Sequence, residues 1–216
     1  MIKLSLDSKN GRDLKVLCIG AHSDDIEIGC GGTILRLAEE HASCEFHWAV
    51  FNATGVRQTE ANCAAHLFAG SRLRSLKLME FQDGFMPYTG SGVKDVFEKD
   101  LKPLAPDVIF THNGNDAHQD HRLISELTWN TFRNNVILEY EIPKYDGDLG
   151  RPNIFVPLAR VACEAKVRYL MDAFESQRSK HWFQSDTFFS LMRLRGIECV
   201  ASSGYAEAFY CRKLVL

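Results

Sequence analysis

The sequence predicts an α/β fold built on a mostly parallel sheet covered on both faces, and three features predict it. Short, nearly continuous apolar runs recur along the chain, as strands buried on both faces require. Between them the apolar spacing changes to a helical period. The connections are of ordinary length, so strand and helix alternate as βαβ units.

Taken in order, residues 15–21 (KVLCIGA) form the first strand. Residues 32–42 follow as a helix, with Ile34, Leu35, Leu37 and Ala38 apolar and Arg36, Glu39 and Glu40 polar. Residues 44–52 (CEFHWAVFN) are again strand-like, and residues 58–68 are a helix ending at Gly70, a suitable C-cap. A third strand covers residues 76–81. Residues 93–101 make a helix stopped by Pro103, and residues 107–111 (DVIFT) a fourth, buried strand. After His121 a helix runs to Phe132. Residues 136–158 are richer in β-formers and in Pro143, Pro152 and Pro157, which predicts a smaller antiparallel or irregular addition. Helices at 159–175 and 186–194 and a last strand at 209–215 complete the chain.

The 216 residues are enough for one moderately large domain, and no linker, repeat or low-complexity tract divides them. A composition 45% hydrophobic and 25% charged belongs to a globular protein with a real core. Lys plus Arg is 25 and Asp plus Glu 28, a balance of −3 that offers no footprint for nucleic acid or an anionic membrane. No uncharged apolar run is long enough to insert in a bilayer. The first fifteen residues, MIKLSLDSKNGRDLK, carry no apolar core of a secretory signal. The seven cysteines are odd in number, widely spaced and never C-x-x-C, which predicts reduced core thiols, a cytoplasmic location and no Cys-ligated zinc.

In open α/β sheets ligands sit beyond the carboxyl ends of the strands. Two such loops stand out: His22-Ser23-Asp24-Asp25-Ile26-Glu27 after the first strand, and the stretch from His112 to His121 after the fourth. They hold four of the eight histidines and four aspartates. The nearby Gly29-Cys30-Gly31-Gly32 breaks the dinucleotide spacing at Ile34, and Asp24, Asp25 and Glu27 would repel a pyrophosphate. Close packing of a helix explains these glycines better.

Imidazoles and carboxylates converging on one sheet edge suit a divalent metal, zinc first, with Fe2+ or Co2+ also admissible. Three protein ligands leave a position for water, and an uncoordinated carboxylate beside it can act as base. Of the adjacent Asp24 and Asp25, one would bind the metal while the other stays free. Of His118 and His121, one would ligate while the other, kept cationic by Asp120, polarises a carbonyl or protonates a leaving group. His41, His47, His66 and His181 read as ordinary surface or core histidines, and His112 is ambiguous at its strand end.

AHSDDIEIGCGG and the His118–His121 run H-Q-D-H resemble the two signature motifs of the PIG-L/LmbE-like zinc-dependent N-deacetylases, A-H-[PS]-D-D-x-E and H-x-D-H. The likeness extends to Arg57-x-x-Glu60, Asp83-Gly84, Arg195-Gly196 and Tyr205-Ala206-Glu207-Ala208-Phe209, and so over nearly the whole chain. It implies a Rossmann-like three-layer domain spanning residues 1–216 that removes an N-acetyl group from a small, GlcNAc-like amino-sugar substrate or conjugate. It also implies His22, Asp25 and His121 as zinc ligands and Asp24 as general base. His118, supported by Asp120, and Tyr205 would serve the oxyanion or the departing amine, and Arg57 and Asp83 would hold the substrate. Ser23 stands where proline is more usual, and Asp116 where some relatives have tyrosine. Hydrolysis of another amide or of a phosphoester, or a sugar-binding module with structural zinc, are the competing readings. A homo-oligomer is left open.

Overall fold

The computed structural model describes residue 6 and residues 13–41 and 43–215; most of the N-terminal stretch read for a signal, and Ala42 at the end of the first expected helix, lie outside them. Seven strands form one sheet: β1 (Lys15–His22), β2 (Glu45–Asn52), β3 (Leu73–Leu78), β4 (Val108–His112), β5 (Val136–Tyr140), β6 (Ile154–Pro157) and β7 (Ala206–Tyr210). Their order is β3-β2-β1-β4-β5-β7-β6. The first five pair in parallel, and β7 runs antiparallel to both β5 and β6. The expected parallel sheet with an antiparallel C-terminal addition is therefore the fold.

Alternation along β1 explains its unbroken apolar run. Val16 and Cys18 face one core, shared with α1 (Asp25–Glu40), α2 (Val56–Ala69), α5 (Arg160–Ala173) and α6 (Ser185–Glu198). Leu17, Ile19 and Ala21 face the other, under α3 (Gly90–Val96), the wider helical turns at Phe97–Leu101 and α4 (Gln119–Thr131). With both faces covered, a strand has no side on which polar residues are preferred.

Several boundaries differ from the sequence reading. The last strand lies at Ala206–Tyr210 rather than 209–215, and β3 starts and ends three residues earlier than expected. The helix placed at 93–101 is a short α-helix that widens at Phe97–Leu101. Gly70 ends α2 as expected, at φ +55° with its N–H on the His66 carbonyl. The largest shift is in α1, which begins at Asp25 rather than at residue 32. The glycine run is inside this helix because its neighbours leave no room for side chains: a Cβ on Gly29 would overlap the Tyr140 ring, and one on Gly31 would lie 2.5 Å from Phe68. Among the described residues no helix is long and apolar enough to cross a membrane. All seven cysteines are free, and all but Cys63 are buried.

Candidate active site

The sheet order reverses direction between β1 and β4, since β2 and β3 build outward on one side of β1 and β4 on the other. That switch point opens a crevice beyond the carboxyl ends of the two strands. β1 ends on His22 and β4 on His112. Asp24 then occupies the N-cap of α1, with Asp25 its first residue. His118 caps α4, whose first turn holds Asp120 and His121. Residues far apart in sequence meet because their strands are neighbours.

Three donor atoms converge there. His22 Nδ1, Asp25 Oδ2 and His121 Nε2 form a triangle with sides of 3.1, 3.3 and 3.5 Å. Tetrahedral zinc with bonds of about 2.0–2.1 Å would set its ligand atoms roughly 3.3–3.4 Å apart. The outer nitrogens say the same. His121 Nδ1 donates to Asp116 Oδ2 at 2.9 Å, which assigns its hydrogen and leaves Nε2 as a lone pair. His22 Nε2 lies 3.1 Å from Asp83 Oδ1 and 3.5 Å from Asp120 Oδ2, so a hydrogen there would leave the Nδ1 lone pair pointing inward. Two imidazole nitrogens and a carboxylate oxygen this close are held together by a hydrogen shared between the imidazoles or by a cation among the three.

The electrostatics agree. Burial works to lower the His22 pKa, yet Asp25, Asp120 and Asp83 raise it well above the ordinary imidazole value. In the ion-free chain a proton on His22 supplies the charge that the site demands. Burial, reinforced by His112, pushes His121 down to about 4 and keeps it neutral. Asp25, against its own burial, is held well below the usual carboxylate range by His121, His112 and His22.

Asp24 differs from its neighbour. Its Oδ2 is buried and has no hydrogen-bond partner, and burial followed by the charge of Asp25 pushes the carboxyl up to about 6. His118 is half-buried. Its Nδ1 accepts the Asp120 backbone N–H at 3.3 Å, so its hydrogen belongs on Nε2. Burial and His22 lower its pKa. The Asp120 carboxylate does not pair with His118, as the sequence reading had it. It accepts the N–H groups of Gly84 (2.7 Å) and Met86 (3.2 Å) and faces His22. His118 is thus not ion-paired with Asp120, although the Asp120 charge works to raise its pKa against burial and His22.

Arg57 Nη1 lies 3.5 Å from Asp83 Oδ2, so both reach the site's rim, with Asp83 half-exposed. Tyr205 sits just before β7, on the same sheet edge. Its hydroxyl accepts from Arg160 Nη1 at 2.8 Å, and its ring packs against Phe189, so it engages these groups rather than the cluster. Three further contributors surround the cluster: His112, left ambiguous by the sequence, Asp116, noted there only as a departure, and Lys144. His112 is fully buried, stacks on His121 with ring centroids 3.9 Å apart, and places Nε2 3.1 Å from Asp25 Oδ2. Asp116 orients His121, and Lys144 lies 3.0 Å from Asp116 Oδ1. The spacing of Asp116 to His121 was a usable signal; nothing in the sequence marks Lys144.

A switch-point cluster of imidazoles and carboxylates beside an unpartnered buried carboxyl defines the class of metal-dependent hydrolases. Within that class the chain belongs to the PIG-L family, described as GlcNAc-PI de-N-acetylase, which matches residues 17–132. The curated relatives it matches are named deacetylases. It is 31% identical over 149 residues to the uncharacterized deacetylase YaiS of Escherichia coli, covering 64% of this chain and 78% of that one. It is 29% identical over 125 residues to the diacetylchitobiose deacetylase of Thermococcus kodakarensis, covering 50% of this chain and 45% of that protein, less than half its length. The N,N'-diacetylchitobiose deacetylase structure from Pyrococcus horikoshii superposes with a TM-score of 0.73 at 22% identity, over 91% of this chain and 83% of the other, and shows the shared fold.

Proposed function

We propose that His22, Asp25 and His121 hold a zinc ion and that Asp24 is the general base for hydrolysis of an N-acetyl group on a GlcNAc-like sugar. The reading rests on the donor triangle of 3.1, 3.3 and 3.5 Å whose imidazoles are backed by Asp116 on one side and Asp83 with Asp120 on the other. A zinc ion there supplies Lewis acidity, polarising the acetamide carbonyl and making a water acidic near neutral pH.

The chain's own groups do the rest. Asp24 Oδ2 takes the proton of the attacking water; having no other partner, it gives up no hydrogen bond to do so. The same proton can pass to the departing amine as the C–N bond breaks. His118 Nε2–H donates to the oxygen that gains charge in the tetrahedral state. Arg57 and Asp83 at the rim hold sugar hydroxyls. Tyr205, tied to Arg160, belongs to the wall of the crevice and reaches substrate only if that bond opens. Among the described residues no candidate metal cluster contains a cysteine, and Cys30 Sγ is spent on the Ile26 carbonyl at 3.2 Å, which weighs against a closed structural zinc site.

The test is release of acetate from a panel of N-acetylated sugars, nucleotide sugars and glycosides, with Asp24→Ala as the blank. Asp24→Ala is expected to keep its metal and to lose about 10²–10⁴-fold in kcat. Full turnover in that variant would remove Asp24 from the mechanism.

A further inference from the structure

Midway along α1 the helix shares hydrogen bonds with two residues distant in sequence. Lys166 Nζ donates to the Ile28 carbonyl at 2.6 Å. Glu207 accepts the N–H of Gly32 at 2.8 Å and, through its other oxygen, both the N–H and the hydroxyl of Thr33 at 2.6 Å. The two side chains pair at 2.6 Å and are almost wholly buried. In an α-helix the N–H of residue 32 belongs to the carbonyl of residue 28. The ion pair therefore contacts both ends of one intrahelical bond and clasps the helix at that turn. Gly32 admits it: a Cβ there would stand 3.0 Å from Glu207 Oε1 and 2.5 Å from Leu158.

We propose that Lys166 and Glu207 are positioning residues for the metal centre. By fixing the Ile28–Gly32 turn from α5 and β7, they set where the first turn of α1 lies and so hold Asp25 and Asp24 against His22 and His121. Both residues lie C-terminal to the N-terminal ligand segments, so the last part of the chain would complete the geometry of the first. This rests on the ligand assignment made under Proposed function.

The experiment compares wild type, Glu207→Gln and the double variant Lys166→Met/Glu207→Leu, at a temperature where circular dichroism shows each folded. Co2+ is the probe, read by its visible absorption band and its affinity. Amide exchange at residues 26–29 is read in the ion-free protein. Glu207→Gln is expected to bind Co2+ about 10-fold or more weakly, with a changed band. Its kcat should fall with KM unchanged, and residues 26–29 should exchange faster. Removing both charges should return thermal stability, because a buried pair is replaced by apolar groups, yet leave the Co2+ band and affinity altered. Wild-type band and affinity in either variant would overturn the proposal and leave the pair a purely structural one. If wild type itself gave no Co2+ signature, the ligand assignment would fail instead. Exchange at 26–29 would then decide alone, and unchanged rates in Glu207→Gln would sink the positioning role.

Discussion

Buried charge is handled in two opposite ways in this molecule. Under the C-terminal strands each buried ion is matched. Arg195 makes a two-pronged contact with Glu141 at 2.7–2.9 Å and also bonds Glu198 and the Gly150 carbonyl, while Tyr210 donates to Glu141 at 2.8 Å. Lys166 and Glu207 are matched in the same way. At the switch point, by contrast, donor atoms face one another, and Asp24 Oδ2, both Glu27 oxygens and His112 Nδ1 have no partner. A cluster of unpaired buried polar atoms at one place points to something else that engages them. On the proposed reading the matched region is scaffold, and the unmatched one carries the chemistry.

The comparison breaks most visibly at the ligands. His22→Ala and His121→Ala should each lose the bound ion and all measurable deacetylation, while circular dichroism stays native because the rest of the sheet does not depend on them. Chelation of wild type should give the same folded, inactive state and return activity when zinc is restored. A chain that unfolded on chelation would show the cluster to be scaffold after all, and the contrast between the regions would disappear.

The scaffold side makes the opposite prediction. Arg195→Met leaves Glu141 buried without its cation, which should destabilise by about 3–5 kcal/mol in a denaturant titration. The fraction still folded should keep wild-type kcat. A variant of normal stability with depressed kcat would place Arg195 in the active region.

The sequence displayed the chemistry more plainly than the scaffold, and the reason is physical. His22, Asp24, Asp25, His118 and His121 fall at strand ends and helix starts, where local pattern identifies the position and a parallel topology brings the ends together. The antiparallel addition was recognisable from its prolines, but the partners of Lys166, Glu207, Arg195 and Glu141 depend on pairings across much of the chain, which no local period encodes. The early start of α1 was hidden for a related reason. Its first turns carry glycines in place of a clear apolar period, and they are glycine because Tyr140, Phe68 and Leu158 press against the helix there. Asp120 shows a further limit: its role beside His118 reads from the motif, but which groups its carboxylate bonds, Gly84 and His22, depends on how the helix turn presents it.

Asp116 stands between the two regimes and gives the smallest and sharpest prediction. One of its oxygens orients His121 at 2.9 Å, and the other is 3.0 Å from Lys144. Although burial works to raise its pKa, the hydrogen bond from His121 and the charges of His121, His112 and Lys144 hold the carboxyl well below the usual range. Asp116→Asn keeps the shape but removes the charge that makes His121 a stronger donor and fixes its tautomer. Metal affinity should fall about 10–100-fold, with turnover at saturating zinc changed much less. If affinity is untouched while stability drops by the amount expected for a broken Lys144 pair, Asp116 belongs with the matched charges of the scaffold. If affinity falls while stability holds, the boundary of the active region runs outward to Asp116, one residue further than the ligands themselves.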